Sequence, residues 1–307
     1  MQGWWMNMKT WMGGLAKAAL AAVAVLASTA AGGIWYLNRD VPEPTLAEKQ
    51  QSYRRAVAWI QTNEASVLKD GNSALWWMVQ SAAERTGDDY LKSLVQQWTA
   101  QAYTGTSATV PWKRIVHPQA DITLNMFSLQ GFEPYQQFFY HAVTCQPVSL
   151  DKGGDTSEFL DAGICRPVAT QVYAGDAVCS THQLMGLKLM QRVGCPTQVD
   201  LPKLESGLLA DIDQQMRWDV MFKDAYIQRV LMLRWVGGPE QVKPIWLRRV
   251  LTAQQADGGW VSGRHVPEMP DWLQPWRLGS ARTAPTNFHA TAQGLLIAAL
   301  AITEKPR

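Results

Sequence analysis

The chain has 307 residues, of which 47% are hydrophobic and 18% charged, with 15 tryptophans and a net charge of +2. That balance is globular and excludes a disordered chain. Without Lys9, Lys17 and Arg39 of the N-terminal region, 25 basic residues face 26 acidic ones, so the body carries no basic footprint for nucleic acid.

The first element is residues 18–37, AALAAVAVLASTAAGGIWYL, a run of 20 residues without a charge. It is long enough to cross a bilayer as a helix. Trp11 precedes it, and Trp35 and Tyr36 close it, as interfacial aromatics do. Lys9 and Lys17 lie on its N-terminal side, which favours a cytoplasmic N-terminus and an exported body. A cleaved signal peptide, cut after Ser28, Thr29 and Ala30, is the rival reading and exports the body equally. The expected plan is a cytoplasmic segment 1–17, a transmembrane anchor 18–37, a spacer and first-helix start at 38–52, and an exported body over 53–307. This describes a single-pass inner-membrane protein with its body in the periplasm or an equivalent extracytoplasmic space.

Beyond the stiff VPEPT spacer at 41–45, helix follows helix. Thr45 and Glu48 form a capping box for an amphipathic stretch reaching about Leu68. DGNSALWWMVQSAAERTG has cap residues in front and Gly87 behind. The next segment sets Tyr90, Leu91, Leu94, Val95 and Trp98 on one helical face. Further helices are expected at 133–144, 181–193, 202–216, 219–236, 243–256 and 287–303. Residues 146–178 and 257–286 read as long loops. Strand alternation is nearly absent, so the fold class is all-α.

Cys145, Cys165, Cys179 and Cys195 all lie in one span of the exported body, and an even count there favours disulfides. A bond from Cys179 to Cys195 would have to fold back over a helix about 16 Å long, whereas disulfide Cα atoms lie within roughly 7 Å. The pairing Cys165–Cys179 with Cys145–Cys195 is easier, the second bond joining the C-terminal ends of two helices. The competing reading of Cys179-x-x-His182 is a zinc site completed by His289 and Asp219. Disulfides are favoured, so no metal or other cofactor is expected.

WLRRVLTAQQADGGW, residues 246–260, resembles the Gln-Trp repeat of the terpenoid cyclase and protein prenyltransferase superfamily. In that repeat a glutamine follows a helix, and a Gly-rich turn precedes a stacking tryptophan. NFHATAQGLLIAAL from Asn287 resembles the inner helix that follows it. By this resemblance the fold is an α/α toroid, helical hairpins around a central pocket. The resemblance also places His289 where prenyltransferases have a zinc-binding histidine. The Asp-rich motif of the cyclases and the Asp-x-Cys pair of the prenyltransferases are both absent from the chain. The resemblance therefore informs the fold and not the chemistry.

His182, Asp219 and His289 each sit at an expected helix start within apolar sequence, and in a toroid such ends converge on the pocket. They are the candidate catalytic residues, because imidazole beside carboxylate suits acid–base chemistry. The bland alternative makes Asp219 an N-cap and His289 a capping or core residue. Tyr226, Trp260, Trp272 and Trp276 are candidate binding residues, although the repeat itself expects Trp260 buried against a helix end. Arg114–Asp121, RIVHPQAD, offers a further His/Asp pair in a structured loop. The chain has no GxSxG, HExxH, P-loop or Rossmann glycine pattern. Two functions fit equally: an enzyme acting on an envelope glycan or lipid-linked sugar, and a non-catalytic binding or assembly subunit of an envelope complex. The expected partners are the membrane, through the N-terminal helix, and a glycan or envelope protein.

Overall fold

The computed structural model describes residues 2–103, 111–122, 129, 131–148, 159–160, 179–219, 221–222, 224–262, 266–267 and 285–304. It is mostly helical, and among the described residues a short strand pair joins Met221–Phe222 to Val266–Pro267, antiparallel. The helices are α1 (Gln2–Leu37), α2 (Leu46–Thr62), α3 (Glu64–Val67), α4 (Ser73–Thr86), α5 (Asp89–Ala102) and α6 (Lys113–Val116). They continue with α7 (Pro134–Thr144), α8 (Cys179–Val193), α9 (Leu201–Trp218), α10 (Asp224–Met232), α11 (Pro244–Thr252) and α12 (Phe288–Thr303).

Local sequence sets most of these boundaries. The Thr45/Glu48 capping box forms at α2, Asn72 caps α4, and Gly87 ends α4 in the left-handed region at φ 77°. The helix expected to reach Leu68 breaks at Asn63, where the chain restarts as the short α3. The helix expected from 219 begins later, at Asp224, because Met221 and Phe222 are held in the strand pair. A π-helical turn, Leu233–Gly237, continues α10, and Gly238 ends it at φ 91°.

α1 contains one stretch, Ala19–Leu37, that is long and apolar enough to cross a membrane. Its Leu20, Val23, Val25 and Leu26 are exposed, as an anchor without its bilayer would leave them. The body grips its end. Leu37 is buried, Asn38 Nδ2 donates to the Arg217 carbonyl at 2.8 Å, and the Trp246 indole donates to Asn38 Oδ1 at 3.2 Å.

Hydrophobic patterning sorts the remaining helices into two groups. α5 and α9 bury single stripes, Leu91, Leu94, Val95 and Trp98 on the first and Leu204, Leu208, Ile212 and Met216 on the second. α10 and α12 are buried almost all round, as helices in a protein interior must be. The interior helices touch in sequence. α4 packs on α6, α6 on α7, α7 on α8, α8 on α10, α10 on α12, and α12 back on α4. α2, α5, α9 and α11 pack behind members of that circuit.

Cys145 and Cys195 form a disulfide with Cα atoms 5.2 Å apart. It ties the C-terminal ends of α7 and α8, as the helix-end argument expects. Cys179 is also disulfide-bonded; its expected partner, Cys165, lies outside the described residues.

The QADGGW element locks α11 to α2 and α12. Gln254 Nε2 donates to the Ser52 and Gly258 carbonyls, at 2.9 and 2.8 Å. Gly258 has φ 95°, and a Cβ there would overlap the Arg55 carbonyl, so only glycine fits. Trp260 is 0% exposed, and its indole donates to the Val250 carbonyl at 2.8 Å. Gly294 of α12 makes room for it, since a Cβ at that position would lie 2.7 Å from the indole ring.

Candidate functional site

The closed circuit of helices surrounds a cavity of about 320 Å³. α4, α7, α8, α10 and α12 all line it with residues from their first two turns, or just before them. α4 supplies Ser73, Ala74 and Leu75; α7 supplies Tyr135, Gln136 and Phe139; α8 supplies His182 and Met185. Gln228 comes from α10, His289 and Gln293 from α12, and Trp112 and Ile115 from the α6 segment. Five helices thus line one space with side chains near their N-terminal ends. Since the disulfide also ties the C-terminal ends of α7 and α8, those two run parallel.

His182 and His289, expected from the sequence to share a pocket, both line this cavity. The His182 ring stacks on Tyr135, with centroids 4.0 Å apart, and leans on Phe139. Its Nε2 lies 3.5 Å from the Gln228 amide. His289 is exposed at the first turn of α12, with Nε2 3.7 Å from Asp224 Oδ2. Asp224 is thereby a carboxylate beside a cavity histidine. That separation exceeds a direct hydrogen bond, and such contacts often tighten only when a ligand is bound.

Asp219 is elsewhere. It caps the C-terminal end of α9, not the start of α10, and is 4% exposed. It pairs with buried Arg229 at 2.6 Å. Arg229 also bonds Gln215, which in turn bonds Ser180, and Arg249 donates to the Asp219 carbonyl. The catalytic assignment of Asp219 is corrected on this ground: its charge is already neutralised inside the core, away from the cavity wall.

Tyr226 is likewise buried outside the cavity, with the Arg249 guanidinium 4.4 Å above its ring. Trp260 has no exposed surface to offer a ligand, so its place is structural, as the repeat implies, and not in binding. Trp272 and Trp276 lie outside the described residues. Arg114–Asp121 is a structured turn in which Arg114 donates to the Ala120 and Val143 carbonyls. Burial holds the His117 imidazole there below its ordinary range.

The zinc reading loses a ligand because Cys179 is in a disulfide, not a thiolate. Among the described residues, no group of three or more His, Cys, Asp and Glu could hold a metal.

Sequence reasoning missed Gln293, Tyr135 and Trp112 as wall residues, and weighed Gln228 as a core hydrogen-bonding residue. Amides within the apolar runs of α10 and α12 were the available signal, since a buried polar side chain needs a reason to be there. Gln293 is 1% exposed, and its Oε1 is without a hydrogen-bond partner among the described residues.

No family model, curated protein or solved structure matches the chain.

Proposed function

We propose that the protein is a membrane-anchored, extracytoplasmic α/α-toroid protein that takes a sugar unit of an envelope glycan or lipid-linked sugar into this cavity. The observation that carries the reading is the wall itself. Aromatic rings of Trp112, Phe132, Tyr135 and Phe139 stand beside the amides of Gln136, Gln228 and Gln293, with the imidazoles of His182 and His289 among them. Aromatic faces accept the apolar faces of a sugar ring, and amides exchange hydrogen bonds with its hydroxyls. About 320 Å³ lies at the small end of ligand pockets and suits one sugar unit.

The toroid reading is supported by the closed circuit of helix contacts and by the backing helices α5, α9 and α11, which follow the lining helices α4, α8 and α10. The Gln-Trp resemblance adds to it, because QADGGW serves here as an inter-helix clamp. The anchor is supported by the exposed apolar face of α1. Trp35 and Trp218, both exposed near the Asn38 joint, are suited to the membrane interface. Disulfides support an oxidising compartment outside the cytoplasm.

In the enzymatic form of this reading, His289 exchanges a proton with the ligand and Asp224 orients its ring and stabilises the imidazolium. His182, held against Tyr135, binds the ligand from the opposite element. The second reading, a binding or assembly subunit, is favoured by one observation: among the described residues, none that lines the cavity is a carboxylate. Incubation of the full chain in detergent with purified envelope glycan separates the two. Product release that His289→Ala and Asp224→Asn abolish, with binding retained, marks an enzyme. Binding that no variant converts into turnover marks a subunit. Absence of both contradicts the glycan reading.

A further inference from the structure

A short chain of hydrogen bonds joins the anchor to the cavity wall and fixes the end of the body at which the cavity lies. Asn38, the first residue after α1, donates to the carbonyl of Arg217 in the last turn of α9 at 2.8 Å. Gln215 of that same turn donates to Ser180 Oγ in the first turn of α8 at 3.0 Å. His182, also in that first turn, lines the cavity. α11 braces the joint from the side, with Trp246 donating to Asn38 and Arg249 to the Asp219 carbonyl. The start of α8 and the end of α9 thus lie together at the anchor. The other end of α9, next to Val199, is about 27 Å away, the length of an 18-residue helix.

Two further observations agree. The exposed residues that line the cavity, Gly71, Asn72 and His289, all lie at or just before helix starts. Among the described residues, the cavity therefore meets solvent at the end of the body where the anchor joins. Trp218 directly follows Arg217 and is 51% exposed beside the joint, as an aromatic at a lipid headgroup layer is.

Resting on the sugar reading of the cavity, we propose that the cavity opens toward the bilayer and takes a sugar still attached to a membrane lipid. Such a sugar is confined to the layer that the mouth faces, so its effective concentration there is raised without any new contact. The acyl chains stay in the bilayer, and about 320 Å³ has to hold only the sugar head. A soluble glycan gains nothing from this placement.

The full chain in lipid nanodiscs tests both parts. Gly71→Cys at the mouth and Val199→Cys at the far end of α9 each carry a fluorophore; a Cβ at Gly71 meets nothing within 4 Å. Nitroxide groups on the lipid heads should quench the label at 71 and leave that at 199 bright. Glucosyl diacylglycerol in the disc should bind at least about tenfold more tightly than glucosylglycerol, the same head without its chains. Ala74→Trp, which fills the cavity, should abolish binding of the lipid. Equal quenching at the two labels, or stronger quenching at 199, overturns the inference and leaves the sugar reading standing. Equal affinity for the two probes does the same. Lipid binding that survives Ala74→Trp places the lipid outside the cavity and also overturns the inference. Saturable binding of neither probe overturns this inference and the sugar reading together.

Discussion

Arg229 donates to the Asp219 carboxylate at 2.6 Å, and both side chains are enclosed by the body, Arg229 at 1% exposure. A charge pair this deep holds its place only because each ion satisfies the other, with Gln215 and Arg249 bonded around them. The pair fixes α10 against the end of α9 and so sets where Gln228 meets the cavity. Asp219→Ala should cost about 3–5 kcal/mol, because it strands the buried guanidinium. The double variant Asp219→Leu with Arg229→Leu should be more stable than Asp219→Ala alone. Urea denaturation of the three proteins checks the order; a double variant weaker than the single one contradicts it.

Trp260, in the segment after α11, fills the space that Gly294 leaves on α12. Trp260→Ala should lower stability by about 3–5 kcal/mol, as deletion of a fully buried aromatic does. Gly294→Ala should also destabilise, because the new methyl meets the indole ring. Ligand affinity of the folded fraction should be unchanged in both. A Trp260→Ala protein that melts like the parent but no longer binds would mean that this tryptophan is a ligand platform after all.

The Cys145–Cys195 bond closes a loop with a sequence separation of 50 residues. By chain entropy alone its loss should cost about 4 kcal/mol. The double serine variant should show that loss in denaturant, and the parent should show the same shift on reduction. Peptide mapping without reduction should recover Cys145 linked to Cys195 and no free thiol at Cys179.

His117 gives the body a pH dependence of stability with a defined sign. Burial, and then the nearby Lys113 charge, hold its pKa below 6.5, while Glu84 pulls weakly the other way. The unfolded chain therefore takes up this proton first. The contribution is present in full above about pH 6.5 and is lost as the pH falls below that value. His117→Gln should flatten the difference in urea midpoint between about pH 7.5 and about pH 5.5. An unchanged difference in the variant would assign the slope to other groups.

Much of the helical layout was legible because its signals are local. The Thr45/Glu48 box, Asn72, Gly87 and Asn287 each mark a boundary from side chains within one turn. The strand pair that delays α10 was not legible, since Met221 and Phe222 find their partners at Val266 and Pro267. The cavity was legible in part. His182 and His289 stood out as polar openings of apolar helices, whereas Asp219 looked alike and is a core ion. What could have separated them is Arg229, a cation inside the apolar AYIQRVLM run, which demands a nearby acid. The wall residues Trp112, Tyr135 and Gln228 come from segments far apart in sequence. No periodicity within one helix reveals which ends will meet.

The central claim is that the space where five helix ends meet is the working site of the protein. Ala74→Trp tests it most directly, because Ala74 lines the cavity at the start of α4 and an indole there occupies the volume without removing a core side chain. Binding of purified envelope glycan fragments should be measured by calorimetry for parent and variant, with melting temperature as the control for folding. The account predicts saturable binding by the parent and its loss in a variant that still melts cooperatively. Undiminished binding by a folded Ala74→Trp protein would contradict it and move the site elsewhere on the body.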